Sequence, residues 1–259
     1  MKKKAILLVS VGTSELTALK NTTVRMLEQV KERFPEYYCN MAFSSEHILA
    51  KMNVKSETPF LSVSEALEEH LRNGAEEVFI QPTNLLNGLE TDGMLAQLEE
   101  YKGKFQVFKI GRPLFSSKED YIKTLQAILD QVNPKEDEAL VLIGHGSNHL
   151  AGSAYQNLEY TAYTNGYRQV LVGTVEGGKS QNMTLRKLSL SGLKKVRLMP
   201  LLFVAGYHAK KDIAAEEGSW KRVLEDAGYE VVPHLVGLGE IDGIRELFIR
   251  HLQEVMEEA

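Results

Sequence analysis

The chain has one cysteine, Cys39, and one tryptophan, Trp220, among its 259 residues. A lone thiol excludes an intrachain disulfide, a CxxC redox pair and a thiolate zinc cage, so any metal must be held mainly by imidazole and carboxylate. No GxGxxG follows a strand-like run, which argues against a dinucleotide-binding loop. The GxSxG turn of a serine hydrolase is missing too. Lysines and arginines are scattered, the formal net charge is -5, and no basic stripe is available to neutralise a nucleic-acid backbone. No segment approaches the roughly 18 apolar residues that a membrane span needs. The start MKKKAILLVSVGTSE joins a basic end to an apolar run, Ala5 to Gly12, but the run is short and lacks a small-x-small cleavage site. It reads as a buried first strand, and a cytoplasmic location is expected.

What is present is an ordinary globular composition, 43% hydrophobic and 25% charged. Short runs rich in Val, Ile, Leu and Phe recur at Ala5–Ser10, Tyr38–Phe43, Glu77–Gln81, Phe105–Ile110, Ala139–Ile143, Gln169–Gly173, Val196–Leu202 and Glu230–His234. Between them apolar residues fall at helical spacing, as in Leu27, Val30 and Phe34, or Leu125, Ile128 and Val132. Alternating β and α units imply an α/β protein with mainly parallel sheets flanked by helices. Gly74, Gly103, Gly166, Gly192 and Gly228 each follow a helical stretch and precede a strand, where a left-handed residue is wanted. Four strands lie on each side of the polar segment Asn133–Asp137, so two similar four-stranded lobes are expected, 1–133 and 134–259.

Equal halves suggest duplication. Gln81–Glu90 (QPTNLLNGLE) lies over Met199–His208 (MPLLFVAGYH) without a gap, pairing Pro82 with Pro200, Gly88 with Gly206 and Glu90 with His208. SVGTS over GHGSN pairs Gly12 with Gly146 and sets Val11 opposite His145. NMAFSSE and VLVGTVE can be set so that Glu46 faces Glu176.

Ligands of an open parallel sheet bind outside the carboxyl ends of its strands. In the second half that edge carries His145, Glu176 and His208, one from each of three successive strand ends. Two imidazoles and a carboxylate suit a divalent ion such as Co²⁺, Ni²⁺, Fe²⁺ or Zn²⁺, with positions left open for substrate. Gly144 and Gly146 let the backbone turn sharply at His145, and Ala205 and Gly206 leave room before Tyr207 and His208. The GHG triplet is close to the RHG of histidine phosphatases, but Gly144 stands where their phosphate-holding arginine belongs. His149 reads as a loop or helix-start residue, and His47, His70, His234 and His251 as structural or surface residues.

The segments AILLVSVGTS, QPTNLLNGLE, GHGSNH, VGTVEG and PLLFVAGYHAKKDI, the last followed by Trp220, give the chain a resemblance that spans nearly its whole length. It resembles the anaerobic cobalt chelatases of the cobalamin pathway, the class II chelatases of CbiK type, which insert Co²⁺ into sirohydrochlorin. The resemblance implies two lobes with a cleft for the tetrapyrrole, a metal held by His145, Glu176 and His208, and a further glutamate at Glu90. It implies catalytic roles for His145, His208 and Glu90, with the imidazoles serving as metal ligands and proton acceptors as two pyrrole protons leave. Ser10, Thr13, Phe203 and Tyr207 are candidate substrate contacts, and Lys210 and Lys211 candidate partners for its carboxylates. The implied partners are sirohydrochlorin and a divalent metal, with no nucleic acid, no membrane and no cofactor beyond the metal substrate. A homo-oligomer is compatible with the sequence. Fe²⁺ or Ni²⁺ in place of Co²⁺, and a metal or haem carrier without catalysis, are the competing readings.

Overall fold

The computed structural model describes residues 3–176, 180–207 and 209–259. The chain divides into two units, Met1–Ser116 with Ile244–Ala259, and Ser117–Gly243.

The first unit follows the order β1 (Lys4–Ser10), α1 (Leu16–Leu19), α2 (Arg25–Arg33), β2 (Tyr38–Phe43), α3 (Glu46–Val54), α4 (Val63–Arg72), β3 (Glu77–Pro82), α5 (Leu89–Glu99) and β4 (Val107–Ile110). A π-helical stretch, Lys20–Val24, joins α1 to α2. The strands form one parallel sheet in the order β2-β1-β3-β4. Both faces of β1 are buried: Ala5 to Val9 are all apolar and fully covered, as a central strand between two helical layers requires. Serine begins the helices: Ser45 caps α3 and Ser62 caps α4, the latter in a reciprocal capping box with Glu65.

The second unit begins with α6 (Lys118–Val132) and continues through β5 (Glu138–Gly144), α7 (Ser153–Thr164), β6 (Val170–Thr174), α8 (Ser180–Ser191), β7 (Lys195–Pro200), α9 (Trp220–Asp226) and β8 (Glu230–Pro233). Its parallel sheet has the order β6-β5-β7-β8, the same permutation as the first. Trp220 is almost completely buried and lies on β6, where a Cβ on Gly173 would sit 2.5 Å from its ring. That close approach explains a glycine inside a strand.

The ladders fix the relation between the halves. Val9 pairs with Pro82 and Ile143 with Pro200, and the next amides, Thr83 N and Leu201 N, donate to Val9 O and Ile143 O at 2.8 and 2.7 Å. This is the register in which Gly12 matches Gly146, and both glycines adopt positive φ, +105° and +95°. Asp92 N donates to Gly88 O as Lys210 N does to Gly206 O, which extends the ungapped match across the following helix start. The second strands need a correction. Ser10 pairs with Phe43 and Gly144 with Thr174, and the next amides, Ser44 N and Val175 N, bond back to Ser10 O and Gly144 O. Ser45, not Glu46, therefore occupies the place of Glu176. Sequence matching had no ladder to count along and was drawn to the like residue one step away.

The last helix of each half lies with the other unit. Leu114 N bonds Asn84 O where Leu238 N bonds Leu202 O, so α6 and α10 (Asp242–Glu257) follow equivalent turns. α6 belongs to the second unit, whereas nearly all of α10 belongs to the first. Within that unit Arg112 grips Glu254 at 2.9 Å, Arg33 reaches Glu246 at 3.0 Å, Arg245 Nε donates to Gln29 at 2.7 Å and His251 Nδ1 lies 3.1 Å from Arg112 O. A join placed at 133/134 follows the sequence repeat and does not anticipate this exchange. Of the helix-ending glycines, 74, 166, 192 and 228 have positive φ. Gly103 does not, because α5 stops at Glu99 and a turn intervenes; Asn133 supplies the left-handed residue after α6. Among the described residues no helix is long and apolar enough to cross a membrane.

Candidate metal centre

β5 ends at Gly144 and β6 at Thr174, side by side, so the chain delivers His145 and Glu176 to the same sheet edge. Backbone bonds continue beyond the strands: Val175 N donates to Gly144 O at 2.9 Å and Glu176 N to His145 O at 2.8 Å. The side chains point to a common place, with His145 Nδ1 3.9 Å from Glu176 Oε2, and both remain substantially exposed, 40% and 61%. That separation is too long for a hydrogen bond. Two donors each about 2.1 Å from one ion stand at most about 4.2 Å apart, so the pair can share a cation.

Glycine is required on both sides of His145. A Cβ on Gly144 would lie 2.2 Å from the Tyr155 ring, which is buried beneath the turn. A Cβ on Gly146 would lie 2.4 Å from the carbonyl oxygen of Glu176, a backbone atom that cannot rotate away. Gly146 N donates to Tyr155 Oη at 3.3 Å, and Thr174 Oγ1 donates to Glu176 O at 2.7 Å. The histidine and the carboxylate are thus set by a backbone clamp, not merely presented on loops. His149 caps the short 3₁₀ turn Leu150–Gly152, its Nδ1 accepting from Ala151 N at 3.1 Å. That lone pair is engaged, as expected of a helix-start residue.

The loop after β7 is equally constrained. Leu238 N and Gly239 N donate to Leu202 O and Phe203 O, and a Cβ on Gly237 would lie 2.7 Å from Ala205 N. Phe203 is almost wholly buried, as an anchor of this loop would be. Tyr207 is 56% exposed, and Lys211 Nζ lies 5.5 Å from the centre of its ring. His208 lies outside the described residues. Among the described residues no group of three His, Cys, Asp or Glu could hold a metal, so His145 and Glu176 stand as a pair.

In the first unit the corresponding edge is built differently. Gly12 packs beside Ile48, Met52 and Phe43, where Gly146 packs against the Glu176 backbone. Ser10 and Thr13 are buried; Ser10 O accepts from Ser44 N, and Thr13 Oγ1 accepts from Glu15 N at 3.2 Å. Glu90 is exposed in the first turn of α5, just past the Gly88 cap. Tyr155 and Thr174 were not singled out from sequence. A tyrosine nine residues beyond a glycine has no periodic signature, and its role depends on how α7 packs under β5.

With this geometry in place, the comparisons with known proteins are specific. The family described as cobalt chelatase (CbiK) matches residues 4–257. The sirohydrochlorin cobaltochelatase of Salmonella typhimurium is 32% identical over 99% of this chain and 98% of its own length. The sirohydrochlorin cobaltochelatase CbiKC of Nitratidesulfovibrio vulgaris is 32% identical over 97% of this chain and 90% of its own. Among solved structures, SirB from Bacillus subtilis with Fe³⁺ is similar at a TM-score of 0.70 and 16% identity, covering 98% of this chain and 95% of that one, a likeness of fold. By the extent of these matches, the chain belongs to the cobalt chelatase (CbiK) family.

Proposed function

We propose that the protein is a sirohydrochlorin cobaltochelatase, inserting Co²⁺ into sirohydrochlorin with release of two protons. The observation that carries this reading is the His145–Glu176 pair, 3.9 Å apart on adjacent strand ends, in a chain whose relatives of that name match it from end to end. In the proposal His145, Glu176 and His208 hold the incoming ion. Neutral imidazole and carboxylate bind it without the permanence of a thiolate cage, which suits an ion that must leave for the macrocycle.

Charge balance sets the remaining chemistry. Two pyrrole N–H bonds break, four metal–nitrogen bonds form as the ion gives up its protein ligands, and the metal keeps its oxidation state. No electron carrier is needed, which supports a reaction without a cofactor beyond the metal substrate. The protons need acceptors at neutral pH. His145 and His208, released from the ion as it transfers, are suitable bases, and Glu90 is a second acceptor or a guide for the cation. Tyr207, exposed beside the site's third strand end, offers a ring face to the macrocycle. Ser10 is buried at the end of β1 and Thr13 is buried with its hydroxyl accepting from Glu15 N, so both contribute through the shape of their edge.

The test is anaerobic incubation of the protein with sirohydrochlorin and Co²⁺, following the absorbance change of metallation. Catalysis above the spontaneous rate, with many turnovers per chain, is the expected outcome. A rate equal to the spontaneous one, with stoichiometric retention of ligand, would identify a carrier instead. Parallel runs with Fe²⁺ and Ni²⁺ rank the ions; a faster reaction with either would reassign the metal.

A further inference from the structure

We infer that Tyr155 and Thr174 are positioning residues whose hydroxyls hold the His145–Glu176 clamp in its metal-competent shape. The inference rests on the metal-site reading above and goes beyond it. Two backbone bonds tie the two strand ends, Val175 N to Gly144 O and Glu176 N to His145 O, and two side-chain bonds brace one end each, Gly146 N to Tyr155 Oη and Thr174 Oγ1 to Glu176 O. The first two are backbone bonds made just past the last ladder pair, Gly144 with Thr174. The last two come from side chains and act on the residues that matter, one on the glycine after His145 and one on the carbonyl of Glu176 itself.

The geometry shows why both are needed. The Glu176 carbonyl lies against Gly146 so closely that a Cβ there would be 2.4 Å from its oxygen. In that contact the oxygen receives the Thr174 hydroxyl at 2.7 Å, which fixes the peptide plane leading away from Glu176. On the other side, the Tyr155 ring fills the space that a side chain at 144 would take, and its hydroxyl receives the Gly146 amide, holding φ at +95°. Without these groups His145 and Glu176 would keep their identities and lose their fixed separation. Partners outside the ligand set that orient ligands are typically worth about 10–100-fold in metal affinity. Neither residue touches the ion, so neither is a catalytic residue.

The experiment compares wild type with Tyr155→Phe, Thr174→Val, Thr174→Ser and His145→Ala, measuring Co²⁺ affinity by anaerobic calorimetry in the absence of tetrapyrrole, then KM for Co²⁺ and kcat. Tyr155→Phe keeps the ring and removes only the hydroxyl. Expected are a roughly 10-fold or greater loss of Co²⁺ affinity in Tyr155→Phe and Thr174→Val, a matching rise in KM for Co²⁺, an unchanged KM for sirohydrochlorin, and recovery in Thr174→Ser. Loss in His145→Ala together with wild-type affinity in both Tyr155→Phe and Thr174→Val would overturn the positioning role and leave the metal site standing. Wild-type affinity in His145→Ala would remove the metal site, and the positioning inference with it. A variant that has lost its thermal unfolding transition is replaced by Thr174→Ser against Thr174→Ala, where equal affinities again overturn the role of that hydroxyl.

Discussion

Replacing Gly146 by alanine tests the backbone clamp most sharply. The residue has φ +95°, a conformation that costs a non-glycine residue about 1–3 kcal/mol. In addition its new Cβ would meet Glu176 O at 2.4 Å and Glu176 C at 2.9 Å. Relief requires the Glu176 peptide to move, which sacrifices the Glu176 N to His145 O bond, worth about 0.5–1.5 kcal/mol. The sum is a destabilisation of about 2–4 kcal/mol. The structure supplies two controls. At Gly166, with φ +92°, an added Cβ would meet nothing within 4 Å, so Gly166→Ala should show the conformational cost alone, about 1–3 kcal/mol. Gly12, the repeat partner at φ +105°, would meet only side chains, Ile48, Met52 and Phe43, at 3.1–3.3 Å, and these can shift. Urea denaturation gives the three stabilities, and Co²⁺ titration of the folded variants gives the functional effect. Gly146→Ala should be the least stable and the only one to lose Co²⁺ affinity. Equal stabilities for Gly146→Ala and Gly166→Ala, with Co²⁺ affinity retained, would refute the clamp.

Three further outcomes follow from packing and titration. Gly173→Ala should destabilise the second unit by about 1–3 kcal/mol in thermal or urea unfolding, because its Cβ would lie 2.5 Å from the enclosed Trp220 ring. Ser62→Ala should cost about 0.5–2 kcal/mol through loss of the α4 cap. It should also flatten the acid limb of stability, since Glu65 is held below its ordinary pKa by the Ser62 amide and hydroxyl, a contribution present above the unfolded value near 4.5 and lost as pH falls through the folded one. His70 is fully buried with Nε2 2.7 Å from Asn40 Oδ1, and burial pushes its pKa down to about 4. The unfolded histidine takes a proton near pH 6.5 and the folded one does not, so stability should fall between pH 6.5 and 4 by up to about 3 kcal/mol. His70→Gln should remove that slope; an unchanged slope in its urea midpoints would show that other groups cause it.

The sheets were legible in the sequence because their central strands β1 and β5, buried on both faces, are continuous apolar runs: Ala5–Val9 and Ala139–Ile143 have no polar interruption. The repeat was legible where Pro82 and Pro200, or Gly12 and Gly146, mark the same backbone event. It slipped at Glu46, because a one-residue register depends on ladder pairing that no local pattern records. The exchange of α6 and α10 was not legible either: an amphipathic helix states that it must be covered, not by which sheet. At the proposed site, His145 and Glu176 stood out as candidates because ligand-type residues at strand ends are conspicuous, and the fold brings these two within 3.9 Å of each other. Tyr155 and Thr174 did not stand out, since their hydroxyls act on backbone atoms whose positions exist only in the folded chain.

Everything proposed for the site depends on His145 and Glu176 holding the cobalt destined for the macrocycle. Anomalous diffraction at the cobalt edge, from crystals equilibrated anaerobically with Co²⁺, tests this most directly. A single strong peak is expected within about 2.2 Å of both His145 Nδ1 and a Glu176 carboxylate oxygen. Cobalt bound elsewhere in the chain, with the His145–Glu176 position empty at saturating metal, would contradict it.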